Sequence, residues 1–117
     1  MKLEQAADSL KMDLKTTLSR FGGQEQLLMR FLTRLPGDPT FRQLEDAMAA
    51  KDWKMVEMSA HTLKGVAANL GLEELRLACD AVVVAVRQGR TEQLPQLMPA
   101  VREAFESACR IIGQLEG

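Results

Sequence analysis

The chain has 117 residues, a length at which one core buries roughly two-thirds of the unfolded surface without metals or disulfides. Its 46% apolar and 26% charged content matches ordinary globular domains and excludes a disordered or collagen-like chain. Fifteen basic against sixteen acidic residues, with only 4% aromatics, supply neither the basic face of a duplex binder nor stacking platforms for single strands, so no nucleic-acid partner is expected.

The longest apolar run, Ala81 to Val86, falls far short of the roughly 20 residues that cross a bilayer. Lys2, Glu4 and Asp8 interrupt the opening segment, where an export signal would be apolar. No membrane association is expected, and a reducing, cytoplasmic setting fits best. Cys79, Cys109 and His61 are the whole supply of zinc-type ligands, too few for a structural zinc site. Both cysteines fall on apolar periodic positions and read as small core residues.

The period is helical nearly everywhere. Leu3, Ala6, Leu10, Leu14, Leu18 and Phe21 sketch an N-terminal helical region that can divide in two, with Asp13 as N-cap of a piece ending at Gly22-Gly23. Leu27, Leu28, Phe31, Leu32 and Leu35 mark the next helix, which Pro36-Gly37-Asp38-Pro39 breaks. Thr40 and Gln43 read as a capping box that restarts the chain on Phe41, Leu44, Ala47 and Met48. Asp52 caps a helix reaching Leu70, with an apolar seam of Trp53, Val56, Ala60, Leu63, Ala67 and Leu70, and Gly71 ends it. Leu72, Leu75, Cys79, Val82 and Val86 continue the three-four spacing to Gly89, which overrides the β-branched run Val82 to Val84 as a strand signal. Leu97, Val101, Ala104, Ala108, Ile111 and Leu115 form a last helix, its first turns shaped by Pro95 and Pro99. Four long amphipathic segments with short connections predict an all-α, up-and-down antiparallel four-helix bundle with a short extra N-terminal helix, a single domain over residues 1–117.

On the wheel of the Asp52–Leu70 helix, His61 lies roughly 130° from the seam, and Met58 and Gly65 roughly 170° from it. One outward face therefore carries Lys54, Met58, His61, Gly65 and Ala68, with Lys64 at its flank. Glycine within a helix costs about 1 kcal/mol relative to alanine, and no packing partner on that side returns it. Exposed His, Met and Gly also occur singly on ordinary surfaces, so composition alone leaves a neutral surface and a functional one both open. The functional reading is a face cleared of side chains so that a partner approaches the imidazole. Neutral imidazole is nucleophilic near pH 7, Lys64 offers a neighbouring cation, and no general base, metal site or substrate cavity accompanies them. Any chemistry is completed by the partner.

Ala60-His61-Thr62-Leu63-Lys64-Gly65-Val66-Ala67-Ala68-Asn69-Leu70-Gly71 resembles the signature of the histidine-containing phosphotransfer (HPt) domains of bacterial phosphorelays. The likeness extends to Asp13-Leu14 through Gly22-Gly23, to Asp52-Trp53, and to Leu75, Cys79 and Arg87-Gln88-Gly89. It is strongest over residues 13–90, and the C-terminal helix matches only in pattern. The resemblance implies a four-helix bundle with His61 as phosphoacceptor, taking a phosphoryl group from a receiver-domain aspartate and passing it to another receiver. Lys64 matches the family's phosphate-neighbouring lysine, and Gly65 its small docking residue. The docking face would comprise Lys54, Met58, Gly65, Ala68 and Val84, because a hairpin turning at Gly71 sets Asp80 to Val84 beside His61. Partners implied are receiver domains and a histidine kinase, and the carrier is expected to be monomeric, without kinase activity or cofactor, Mg2+ residing on the receiver. Two departures stand out: Pro36-Gly37-Asp38-Pro39 interrupts a usually continuous helix, and Val82 to Val86 replaces a more polar stretch.

Other readings are narrower. A histidine-kinase dimerisation domain has an acidic residue directly after its histidine and a proline soon after, where this chain has Thr62 and Gly65. The phosphoacceptor domain of a chemotaxis-type or hybrid kinase, excised from its parent, shares the His-Lys-Gly pattern. A non-catalytic helical module that binds receivers is the alternative from a different class. An independent enzyme lacks a paired-carboxylate site or a nucleophile–base pair.

Overall fold

The computed structural model describes residues 1–116. Seven α-helices run through them: α1 (Leu3–Ser9), α2 (Leu14–Arg20), α3 (Glu25–Arg34), α4 (Thr40–Ala50), α5 (Trp53–Asn69), α6 (Glu73–Arg87) and α7 (Leu94–Ile112). Short 3-10 turns at Leu35–Gly37 and Thr91–Gln93 lead into α4 and α7. α4 packs on α5, α5 on α6 and α6 on α7, giving an elongated helical bundle of 41 × 22 × 19 Å. None of the helices is long and apolar enough to cross a membrane, among the described residues.

The core is the sum of the helical seams. Val56, Ala60, Leu63 and Ala67 of α5 meet Leu75, Cys79, Val82 and Val83 of α6, with Leu28, Leu32, Leu44, Leu94 and Val101 closing the interior. The Val82–Val84 run is helical because burial of Val82 and Val83 outweighs the modest β-preference of branched side chains. Burial in this core pushes the Cys79 thiol up to about 12, the behaviour of an inert packing residue. Cys109 is only half-buried.

The N-terminal region divides in two, as the Asp13 cap allowed, with Lys11 at φ 55° between the pieces. Several local expectations are corrected. Thr40 is the first residue of α4, not its cap. The Asp38 carboxylate accepts from the Thr40 amide at 2.8 Å, which replaces the Thr40–Gln43 capping box. Phe31 is 38% exposed and packs beside Phe21 at 5.4 Å between ring centroids, instead of lying in the seam. Trp53 keeps its place in the α5 seam, half-buried and packed against the core at the helix's first turn. The last helix begins at Leu94, fully buried, with Pro95 in its first turn and Pro99 on its exposed side. Asp13 and Asp52 cap as expected, accepting from Thr16 N at 3.0 Å and Met55 N at 3.2 Å.

Candidate functional site

The rotation of α5 decides everything about His61. Val56, Ala60, Leu63 and Ala67 are each 0% exposed, so the helix cannot turn about its axis without lifting these side chains into water, at roughly 1.5–3 kcal/mol for each of Val56 and Leu63 and less for the alanines. That constraint holds the His61 imidazole in solvent. The side-chain hydrogen bonds around it, Thr62 Oγ1 donating to the Met58 carbonyl at 3.0 Å and Lys64 to Asp80, leave the ring out.

Around the ring, Lys54 is exposed, Met58 is 54% exposed and Gly65 is exposed. A Cβ built on Gly65 would meet nothing within 4 Å. Packing therefore does not require glycine there, and the helical backbone would favour alanine. Ala68, counted with the outward face, is half-buried toward the end of α5.

Lys64 departs from the expectation of a free cation beside the ring. Its ammonium reaches across to α6 and donates to Asp80 Oδ1 at 2.8 Å, with the two side chains 30% and 39% exposed. The Lys64 hydrogen bond holds the Asp80 carboxyl below the usual carboxylate range against the opposing effect of desolvation, and the charges of Lys64, Arg76 and Arg87 add to it. A second pair between the same helices, Arg87 Nε to Glu57 Oε2 at 3.1 Å, fixes their register. Stepping back along α5 from Lys64 to Glu57 matches an equal step forward along α6 from Asp80 to Arg87, so the helices run antiparallel. This register sets His61 level with Val83 and Val84, as the turn at Gly71 predicted. Val83 is buried and Val84 is 40% exposed.

Of the five large apolar side chains exposed among the described residues, four are on these two helices: Met55, Met58, Leu77 and Val84. Met55 and Leu77 escaped the sequence reading because wheel arithmetic on α5 alone does not rank flanking positions, and α6 was read only for its seam. The Asp80 pairing also escaped it, although a signal was present. Asp80 is the only charged residue between Arg76 and Arg87.

The Hpt domain family model matches residues 26–110, which covers most of the chain from α3 into α7. The chain belongs to the histidine-containing phosphotransfer domain family, the phosphocarrier modules of two-component phosphorelays, which interact with receiver domains and kinases. The match takes in most of α7, which the sequence resembled only in pattern, and begins after the Asp13–Gly23 segment. No curated protein and no solved structure matches the chain.

Proposed function

We propose that His61 is the phosphoacceptor of a phosphorelay intermediate that takes a phosphoryl group from one receiver domain and delivers it to another. The observation that carries this is the pairing of an imidazole held in solvent with empty space above Gly65. The unprotonated ring nitrogen attacks the phosphorus of the receiver's aspartyl phosphate. An N–P bond forms, the acyl O–P bond breaks, and the electron pair leaves with the aspartate carboxylate. The other ring nitrogen keeps its proton until water takes it. Delivery to the next receiver is the same exchange in reverse.

Lys64 supplies positive charge beside the phosphoryl group, three residues along the same helix. Lys54, Met58, Gly65, Ala68 and Val84 form the docking face, to which Leu77 adds apolar area. A receiver closing on this face covers side chains that water otherwise touches, and it brings its own Mg2+; the carrier needs no cofactor. We further propose that residues 1–117 act as one monomeric unit in the cytoplasm, with α3–α4, α5, α6 and α7 as an up-and-down four-helix bundle, and without kinase activity of their own.

The test is His61→Gln. The variant should take no acid-labile, alkali-stable label from a phosphorylated receiver, with helical content and Tm within error of wild type. Retained labelling would remove His61 from the reaction. A large fall in Tm would show that the ring is part of the packing.

A further inference from the structure

Asp80 is an isolated charge on an otherwise apolar stretch of α6, and it spends that charge on Lys64 at 2.8 Å. The pair is partly shielded, at 30% and 39% exposure, so it is stronger than a freely solvated surface pair. Lys64 also belongs to the turn that carries His61, since residues three apart on a helix are surface neighbours, with Cβ atoms roughly 5–6 Å apart. A lysine is a compact point charge on a flexible four-carbon stem with three rotatable donors. Its ammonium can therefore serve either an acceptor on α6 or an acceptor on the His61 ring, and a phosphoryl group there presents several anionic oxygens.

We propose that Asp80 is a positioning residue for phosphoryl transfer: it holds Lys64 as its counterion in the unphosphorylated protein and competes with the phosphoryl group for that ammonium, which keeps phosphohistidine a labile, ready donor. The proposal rests on His61 being the phosphoacceptor. Its physical basis is linkage: a contact preferred in the unphosphorylated state raises the free energy of the phosphorylated one by the same amount. Asp80 remains an acceptor for Lys64 throughout the neutral range, because its carboxyl lies below the usual range. Arg76 and Arg87 stand close enough to contribute to that lowering, so the carboxylate is not stranded when Lys64 turns away.

The consequence is legible in hydrolysis. The N–P bond breaks readily when the ring is protonated, because the leaving group is then neutral imidazole. The electron pair of that bond goes to the ring nitrogen, a water oxygen bonds to phosphorus, and the water's proton is released. An ammonium free to serve the phosphoryl oxygens opposes the arrival of that ring proton, and removing the Asp80 charge frees it from the pair.

The experiment labels wild type, Asp80→Asn, Asp80→Glu, Lys64→Ala and the Asp80→Asn/Lys64→Ala double variant with phosphoramidate, and follows loss of phosphohistidine by phosphorus NMR at pH 8. Asp80→Asn should lengthen the half-life threefold or more, Asp80→Glu should stay near wild type, and Lys64→Ala should shorten it. In the Lys64→Ala background, Asp80→Asn should have less than half its effect in the wild-type background. An unchanged or shortened half-life in Asp80→Asn, or equal lengthening with and without Lys64, overturns the proposal. A carboxyl titration of the unphosphorylated protein checks the pair separately: the Asp80 midpoint should rise in Lys64→Ala, and no rise would refute the pairing while leaving His61 untouched. If neither phosphoramidate nor a phosphorylated receiver labels wild type on His61, the phosphoacceptor reading falls and this proposal with it.

Discussion

At Gly71 an added Cβ would lie 2.2 Å from Thr17 Oγ1 and 2.9 Å from Met12 Cγ, on a backbone at φ 72°, whereas at Gly65 on the same hairpin it would meet nothing within 4 Å. The first glycine lets the α5–α6 turn close against α2. Thr17 is buried there, and its hydroxyl donates to the Asp13 carbonyl at 2.8 Å, so the obstructing atom is not free to swing aside. The second glycine answers to no packing contact among the described residues. One end of α5 is thus constrained by the protein's own packing, while the exposed middle carries a glycine that packing does not require, on the face proposed above for docking. The same helix is divided lengthwise in the same way, with a seam at 0% exposure behind and Met58, His61 and Gly65 in front.

The largest way to break that contrast is to attack the seam. Leu63→Ala removes a fully buried side chain next to the site in sequence and opposite to it in space, and should cost about 2–5 kcal/mol. Urea midpoints should fall accordingly, while phosphoryl acceptance on His61, measured where the variant is still folded, should persist. Loss of acceptance by the folded variant would mean that the two faces of α5 are not separable. Next in size is Gly71→Ala, where left-handed backbone strain and crowding together should cost about 1–3 kcal/mol. Measured against Thr17→Ala alone, the same substitution should cost less, because the nearest obstructing oxygen is gone. Equal costs in both backgrounds would leave backbone strain and the Met12 contact as the explanation.

How much of this was readable beforehand depended on whether the cause was local. The α5 seam, the Asp13 and Asp52 caps and the division at Pro36–Pro39 are set by nearest neighbours in the chain and by a helical period that recurs with every turn. The α4–α5 turn was less legible: Lys51 takes φ 54° there, a left-handed position that a lysine does not announce. Thr40 opens α4 behind Pro39 and its amide is taken up by the Asp38 carboxylate, because the path out of the preceding 3-10 turn decides which of two good capping residue types meets that amide. At the site, His61, Lys64 and Gly65 stood out within one helix. What Lys64 touches depends on the register of α6, and the Glu57–Arg87 and Lys64–Asp80 pairs that define it lie between elements, beyond the reach of a helical wheel.

The smallest effect gives the sharpest discrimination, because stability and function should separate at Gly65. Gly65→Ala adds one methyl group into open space in mid-helix, so helix propensity alone should stabilise the protein by up to about 1 kcal/mol. Gly65→Gln should remain folded, since glutamine is a good helix former and no neighbour obstructs it. Its side chain, however, stands one turn from His61 on the surface proposed for receiver docking. Transfer from a phosphorylated receiver should fall sharply, while labelling by phosphoramidate, which needs no docking face, should be nearly unchanged. Equal loss with both donors would locate the damage in the helix itself. Undiminished receiver transfer would show that the empty space over Gly65 is not where the partner sits, and the glycine would then have no steric explanation.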